Sequence, residues 1–322
     1  MSERGTINLQ MAVDDALFRI KRDFDRCNGK IVLSFSGGKD STILAKLIEM
    51  TKLPIELVFS NTGVELEATL EFVKKFDCTW IKPEETMSQI IKKKGKPILS
   101  KEKSHRLRVH HRHIDEDTTK YPTVHKLLNG QFGKIANKDM HFLHKDLGIM
   151  PSKYCCDGLK KKPFEKFMIE RELEGYYTGI RTAEGGVRLR YTSCVQTKKI
   201  GKKEVVLSMP IIDWTDELCD EFVEVYEVEL SKAYTTYGMS RTGCIGCPYN
   251  QELSKDLKII HDYEPLRYKA TMKWFKDVYI QQKVRLDFDE EYSAELEAML
   301  PIIEQRRLEM MEKYGRKERS KK

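Results

Sequence analysis

The sequence predicts an α/β fold, a parallel β-sheet with helices on both faces, together with a basic insertion and C-terminal helices. Three observations predict it. Short β-branched runs end in Gly-Gly or Asn-Thr-Gly turns, helical periodicity follows each turn, and the strand-turn-helix plan repeats within the first hundred residues. Strands that alternate with helices pair in parallel through crossovers, and ligands then gather at the strands' C-terminal ends.

The first strand is IVLSF (31–35), and it stops at Gly37-Gly38. Ile43, Leu44, Leu47 and Ile48 then recur at helical spacing. The second unit is IELVFS (55–60), the turn NTG (61–63) and a helix with Leu66, Leu70, Val73 and Phe76 on one face. A third strand is expected at CTWI (78–81), followed by a helical segment over 86–94. From 95 to 150 the pattern dissolves into a basic, histidine-containing stretch. Strands resume at GYYTGI (175–180) and EVVLSMPI (204–211), and residues 262–318 read as two helices, the last from about Glu290, running into a basic tail. No internal repeat of solenoid period is present.

With 40% apolar and 33% charged residues, the composition is that of an ordinary globular protein. The opening MSERGTINLQMAVDD carries no secretory apolar core, and no apolar run approaches the ~20 residues needed to span a bilayer. A cytoplasmic protein without a membrane partner is therefore expected. In that compartment the eight cysteines read as metal ligands, catalytic groups or free thiols rather than disulfides. The net charge of +7 is clustered at Lys92–Lys96, Lys101–His113, Lys160–Lys162, Lys198–Lys203 and Arg316–Lys322. Such runs attract phosphate polymers through counterion release, or they form a solvated lysine surface.

The stretch SFSGGKDST (34–42) has the ingredients of a phosphate loop but not the Walker A spacing, because Gly37 and Gly38 are adjacent and Asp40 separates Lys39 from Ser41. A glycine turn between a buried strand and a helix directs free backbone N–H groups and the positive helix end at one spot, which binds anions. Lys39 adds a point charge, and Ser34, Ser36, Ser41 and Thr42 supply hydroxyls. Asp40 reads either as a helix cap or as a carboxylate that orients Mg²⁺.

Four cysteines have ligand spacing. Cys155-Cys156 is matched far downstream by Cys244-Ile245-Gly246-Cys247-Pro248. Adjacent cysteines diverge, so both reach one Zn²⁺ awkwardly, whereas a cubane offers several iron corners; a [4Fe–4S] cluster is the geometric preference. The histidines at 105, 110, 111 and 113 are interleaved with arginines, which repel cations, and read as a basic solvated loop rather than a metal site.

SGGKDS (36–41) in this setting resembles the PP-loop of N-type ATP pyrophosphatases, and NTGVE (61–65) takes the place of that superfamily's turn lining the nucleotide. PP-loop, paired cysteines and distant CxxC together resemble the APS/PAPS (adenylyl-sulfate and phosphoadenylyl-sulfate) reductase-like superfamily. GIRTAEGGVRLR (179–190) resembles its G-[IM]-R-x-x-E-S-x-x-R element, with Gly185 in place of the serine, and MPIIDWTDE (209–217) resembles its P-[IL]-x-x-W segment. The resemblance runs from about residue 30 to 250.

It implies a Rossmann-like fold of the adenine nucleotide alpha hydrolase type, with residues 1–94 and 151–255 as the nucleotide-binding domain, 95–150 as an insertion and 256–322 as C-terminal helices and tail. It implies ATP held by Ser34, Ser36, Gly37, Gly38, Lys39, Asp40, Ser41, Thr42, Asn61, Thr62, Gly63, Arg181, Glu184 and Arg188, with Lys39, Asp40 and Arg181 in catalytic roles and Mg²⁺ as cofactor. The cluster ligands are Cys155, Cys156, Cys244 and Cys247. The reductases attack sulfur with a cysteine in an ECGLH-like tail, but no cysteine follows Cys247 in this sequence. Of the other thiols, Cys78 and Cys219 sit in apolar-periodic segments, Cys27 lies before the first strand, and Cys194 follows the arginine loop.

The expected function is an adenylating ATP pyrophosphatase that supports sulfur transfer onto nucleic acid, as in DndC-like DNA phosphorothioation or tRNA thiolation, with a sulfur donor such as a cysteine desulfurase as partner. The alternatives are a sulfonucleotide reductase and a non-catalytic nucleotide- and cluster-dependent binding protein.

Overall fold

The structure is a computed structural model and describes residues 3–130 and 133–315. Along the chain run α1 (Glu3–Arg26), β1 (Ile31–Phe35), α2 (Lys39–Thr51), β2 (Leu57–Ser60), α3 (Glu67–Val73), β3 (Cys78–Ile81) and α4 (Met87–Lys94). Next come α5 (Lys101–Arg112), α6 (Pro122–Asn129), the single turn α7 (Tyr154–Cys156), α8 (Lys162–Glu170) and β4 (Gly175–Tyr177). β5 (Val195–Ile200), β6 (Lys203–Ser208), α9 (Asp216–Val225) and α10 (Lys232–Thr235) follow, then α11 (Leu253–Tyr263), α12 (Pro265–Gln281) and α13 (Glu290–Lys313). The described residues form two compact units, one from the stretch up to Glu84 with Leu159–Gly243, the other from Glu85–Gly158 with the stretch from Cys244 onward.

The first unit holds a six-stranded sheet in the order β3-β2-β1-β4-β6-β5. Its first five strands are parallel, in the registers Leu33↔Leu57, Ile31↔Gly175 and Gly175↔Val206. Side chains on β1 alternate between two cores, as the two-residue period of a strand requires. Ile31, Leu33 and Phe35 pack on one face with Ile43, Leu44 and Leu47 of α2, Val13, Ala16 and Ile20 of α1, and Cys219 and Phe222 of α9. Val32 turns to the other face, among Val58, Val205 and Phe164 and Met168 of α8. Helices therefore cover both faces, as expected.

Several elements differ from the sequence reading. The sheet is mixed, because β5 pairs antiparallel with β6 (Val195↔Ser208, Ile200↔Lys203). The basic run at Lys198–Lys203 thus spans the end of β5, the hairpin turn and the start of β6, and lysines of this kind blunt a sheet edge. The second strand begins at Leu57 rather than Ile55. α3 ends at Val73; it buries Ala68, Thr69, Phe72 and Val73, while Leu66 is its N-cap and Phe76 lies beyond it. The segment before the first strand, given no element in the sequence reading, holds the 24-residue helix α1. Leu9, Val13, Ala16 and Ile20 are spaced on one face of it and fully buried.

The second unit is helical. Residues 95–150 are not a solvated loop. α5 buries Arg106, Arg108 and His110. The His110 and His111 rings donate to the carbonyls of Leu143 and Phe142 (2.8 and 2.7 Å), and His141 donates to that of Gln281 (2.8 Å). Arg106 pairs with Glu102 and binds the Lys126 carbonyl at 3.0 Å. Much of this segment's charge is spent inside the fold. The C-terminal region holds three helices, starting at Leu253 rather than 262, with Leu257, Phe275, Val278, Leu296 and Ile303 buried. The basic tail at Arg316–Lys322 lies outside the described residues. None of the described helices is long and apolar enough to cross a membrane.

Candidate nucleotide site and cysteine cluster

β1 delivers the chain to Ser36, and the turn that follows depends on Gly37. Its φ is +69°, in the left-handed region, and a Cβ there would lie 2.7 Å from Val73 Cγ2. Gly38 then caps α2, whose first turn carries Lys39 and Asp40. The loop hydroxyls divide. Ser41 Oγ and Thr42 Oγ1 donate to the Gly38 carbonyl (2.9 and 3.0 Å) and are buried, so they hold the turn's shape. Ser36 Oγ, 3.0 Å from Ser41 Oγ, faces a cleft.

That cleft has a volume of about 460 Å³ and is lined by Ser34, Ser36 and 38–41, by 178–181 after β4, by Glu184 and Arg188, by Asp216 at the start of α9, and by Tyr234 and 240–242. Lys39 Nζ reaches Asp220 at 2.8 Å. Burial would lower the Lys39 ammonium's pKa, but the Asp220 carboxylate outweighs it and holds the group charged. Arg181, 3% exposed, is fully engaged. Its Nε donates to Asp40 Oδ1 (2.9 Å), Nη1 to the Trp214 carbonyl (3.1 Å) and Nη2 to Asp216 Oδ1 (2.7 Å). Burial works against its charge, and the two aspartates more than restore it. Arg188 pairs with Glu184 at 2.9 Å.

The turn after β2 closes on itself. Thr62 N–H and Oγ1 donate to the Glu65 carboxylate (3.1 and 2.5 Å), and the Gly63 N–H donates to Asn61 Oδ1 (3.2 Å). A second cleft of about 430 Å³ includes Ser60 and Glu65 in its lining, but not Asn61, Thr62 or Gly63. It shares Ser34, Ser36 and Thr242 with the first cleft and adds the rings of Phe59, Phe164 and Tyr176 and four lysines at 160, 161, 198 and 199. A polar cleft beside the loop thus adjoins one with aromatic walls.

Cys155, Cys156, Cys244 and Cys247 all belong to the second unit. The Cys155 thiol is pushed far up by its hydrogen bond with Cys156, by burial, and by the fields of Cys156, Cys247 and Cys244. The other three sulfurs therefore lie in the neighbourhood of Cys155. Cys247 N–H donates to the Cys244 carbonyl at 3.3 Å, closing the knuckle. Gly246 sits inside it at φ +55°, and a Cβ there would collide with Thr271 and Tyr279. Among the described residues no three His, Cys, Asp or Glu side chains already stand in the arrangement of a single bound metal ion.

Residues 30–130 match the phosphoadenosine phosphosulfate (PAPS) reductase domain. The matched stretch is about a third of the chain. The sheet order and the β1–α2 strand-turn-helix are those of an α/β fold with a mostly parallel sheet. An uncharacterised protein of Methanocaldococcus jannaschii is 42% identical over 60 residues, which is 18% of this chain and 15% of that relative's length. Among solved structures, the PAPS reductase of Candida auris in phosphate complex aligns with a TM-score of 0.44 at 12% identity, over 76% of this chain and 96% of its own. The U34-tRNA thiolase NcsA of Methanococcus maripaludis with its [4Fe–4S] cluster aligns with a TM-score of 0.34 at 13% identity, over 87% and 82%. These scores are too low to carry activity from one protein to another.

The sequence motifs missed Asp220, Tyr234, Arg241 and Thr242, which touch the loop or line its cleft only through the fold. One signal existed: Arg241 and Thr242 directly precede the Gly243-Cys244 knuckle. Burial raises Cys27 to about 11 and Cys219 to about 12, and raises Cys78 as well. Cys194 accepts from Arg22 Nη2 at 3.7 Å and packs against Leu207, Met209 and Ile212.

Proposed function

We propose that this protein cleaves ATP between its α and β phosphates, places the adenylyl group on a substrate oxygen, and supports the replacement of that oxygen by sulfur on nucleic acid. The observation that carries the proposal is the β1–α2 turn. It brings a helix N-terminus, the Ser36 hydroxyl and the charged Lys39 to one cleft beside an aromatic-walled pocket. A substrate oxygen attacks the α-phosphorus, the bond to the α,β-bridging oxygen breaks, and pyrophosphate leaves with the electron pair. Lys39 and the helix end neutralise the charge that grows on it. Arg181 works behind them, fixing Asp40 and Asp216 by one oxygen each.

The second oxygens of Asp40 and Asp216 suit Mg²⁺, which keeps several waters and binds through one or two carboxylates plus substrate phosphates. Bound there, it would supply further neutralisation of the polyphosphate. Cys155, Cys156, Cys244 and Cys247 would hold a [4Fe–4S] cluster, which would supply a sulfur- or electron-carrying centre.

The test is release of pyrophosphate and AMP from ATP, with and without nucleic acid. Release should rise with nucleic acid at low salt, fall steeply as salt increases, and drop at least about 100-fold in Lys39→Ala. Unchanged release by Lys39→Ala would remove the loop from the chemistry. Turnover of APS or PAPS to sulfite with thioredoxin, without pyrophosphate release, would replace the reading with sulfonucleotide reduction, an activity to which the domain match at 30–130 also points.

A further inference from the structure

A polyphosphate needs cations free to turn toward it, and the three arginines of the cleft differ in this. Arg181 is spent on Asp40, Asp216 and the Trp214 carbonyl. Arg188 is held by Glu184. Arg241 lines the same cleft, is exposed, and makes neither an ion pair nor a hydrogen bond among the described residues. Its backbone is nonetheless fixed. The Tyr234 hydroxyl accepts from the N–H of Lys39 at 3.0 Å and from that of Thr242 at 3.2 Å. The residue next to Arg241 is thereby tied to the first residue of α2. Thr242 Oγ1 lies so near the turn that a Cβ at Gly38 would stand 3.0 Å from it.

We propose that Arg241 is the phosphate-binding arginine of this cleft, taking oxygens of the nucleotide's β and γ phosphates opposite Lys39, and that Arg181 is a positioning residue for Asp40. A guanidinium offers a planar fork of donors that matches phosphate, and an unpaired one gives up no existing partner when the ligand arrives. This rests on the ATP reading above.

The probe is inorganic pyrophosphate, titrated calorimetrically into the full chain. Arg241→Ala binds it about 10- to 100-fold more weakly with an unchanged melting midpoint, and Arg241→Lys recovers part of the loss. Arg241→Gln keeps the length and loses the charge, so it serves if the alanine variant melts early, and it shows the same weakening. If wild type binds pyrophosphate, Lys39→Ala does not, and Arg241→Ala and Arg241→Gln bind like wild type, the assignment falls while the ATP reading stands. If wild type itself does not bind, both fall.

Discussion

Arg181 is the side chain from which the cleft beside the β1–α2 turn hangs. A single guanidinium joins the start of α2 through Asp40 to the start of α9 through Asp216, and it also satisfies the Trp214 carbonyl. Lysine cannot reproduce this, since a point charge on a flexible stem has no fork to span three acceptors. Arg181→Lys should therefore cost about 2–3 kcal/mol, less than for a wholly buried pair because Asp216 is largely exposed. It should also weaken pyrophosphate binding by releasing Asp40. Urea midpoints of the two proteins measure the first effect, and an unchanged midpoint would mean the network is dispensable. The arginine was legible in the motif at 179–190, but its work was not. A sequence shows that an arginine is present and not which carboxylates already occupy it.

Elements show how local spacing and long-range pairing share control. The β1–α2 turn was readable because glycine adjacency, a β-branched strand and a helical stripe are all encoded within twenty residues. β5 was not, because Val195–Ile200 forms a strand only by pairing with β6, and its lysines disguised it as a solvated run. The knuckle at 244–247 lies between these cases. Its ligand spacing is local, yet Gly246 is required by Thr271 and Tyr279 of α12, more than twenty residues away. Protein purified without oxygen should be brown and contain about four irons and four sulfides per chain. Cys244→Ser should bleach it while pyrophosphate binding persists, since the loop and its cleft belong to the other unit. Colourless protein with one equivalent of zinc would overturn the cluster.

For the molecule as a whole, the buried histidines set an acid limit. Burial lowers His110 and His141 to about 4 from 6.5, outweighing the carbonyls that accept from their rings. The folded chain therefore keeps these rings neutral while the unfolded chain takes up protons near 6.5. The stability they confer is intact above that value and is lost as the pH falls from 6.5 towards 4, on the order of 3 kcal/mol for each histidine. Urea midpoints at about pH 7.5 and about pH 5 should show the decline, and His110→Gln should make it shallower. A midpoint that does not move between those values would refute it.

By itself the sequence determined the strand-turn-helix core, the glycine turn after β1 and the pairing of the four cysteines, because each is written in neighbouring residues or in close spacing. Only the tertiary structure decided that residues 95–150 are packed helices, that α1 is part of the sheet's core, that Asp220 and Tyr234 reach the loop, and that Arg241 lines its cleft. Those facts depend on contacts between residues far apart in the chain. Charge along a sequence is the same whether a side chain faces water or a buried carbonyl, and only packing tells the two apart.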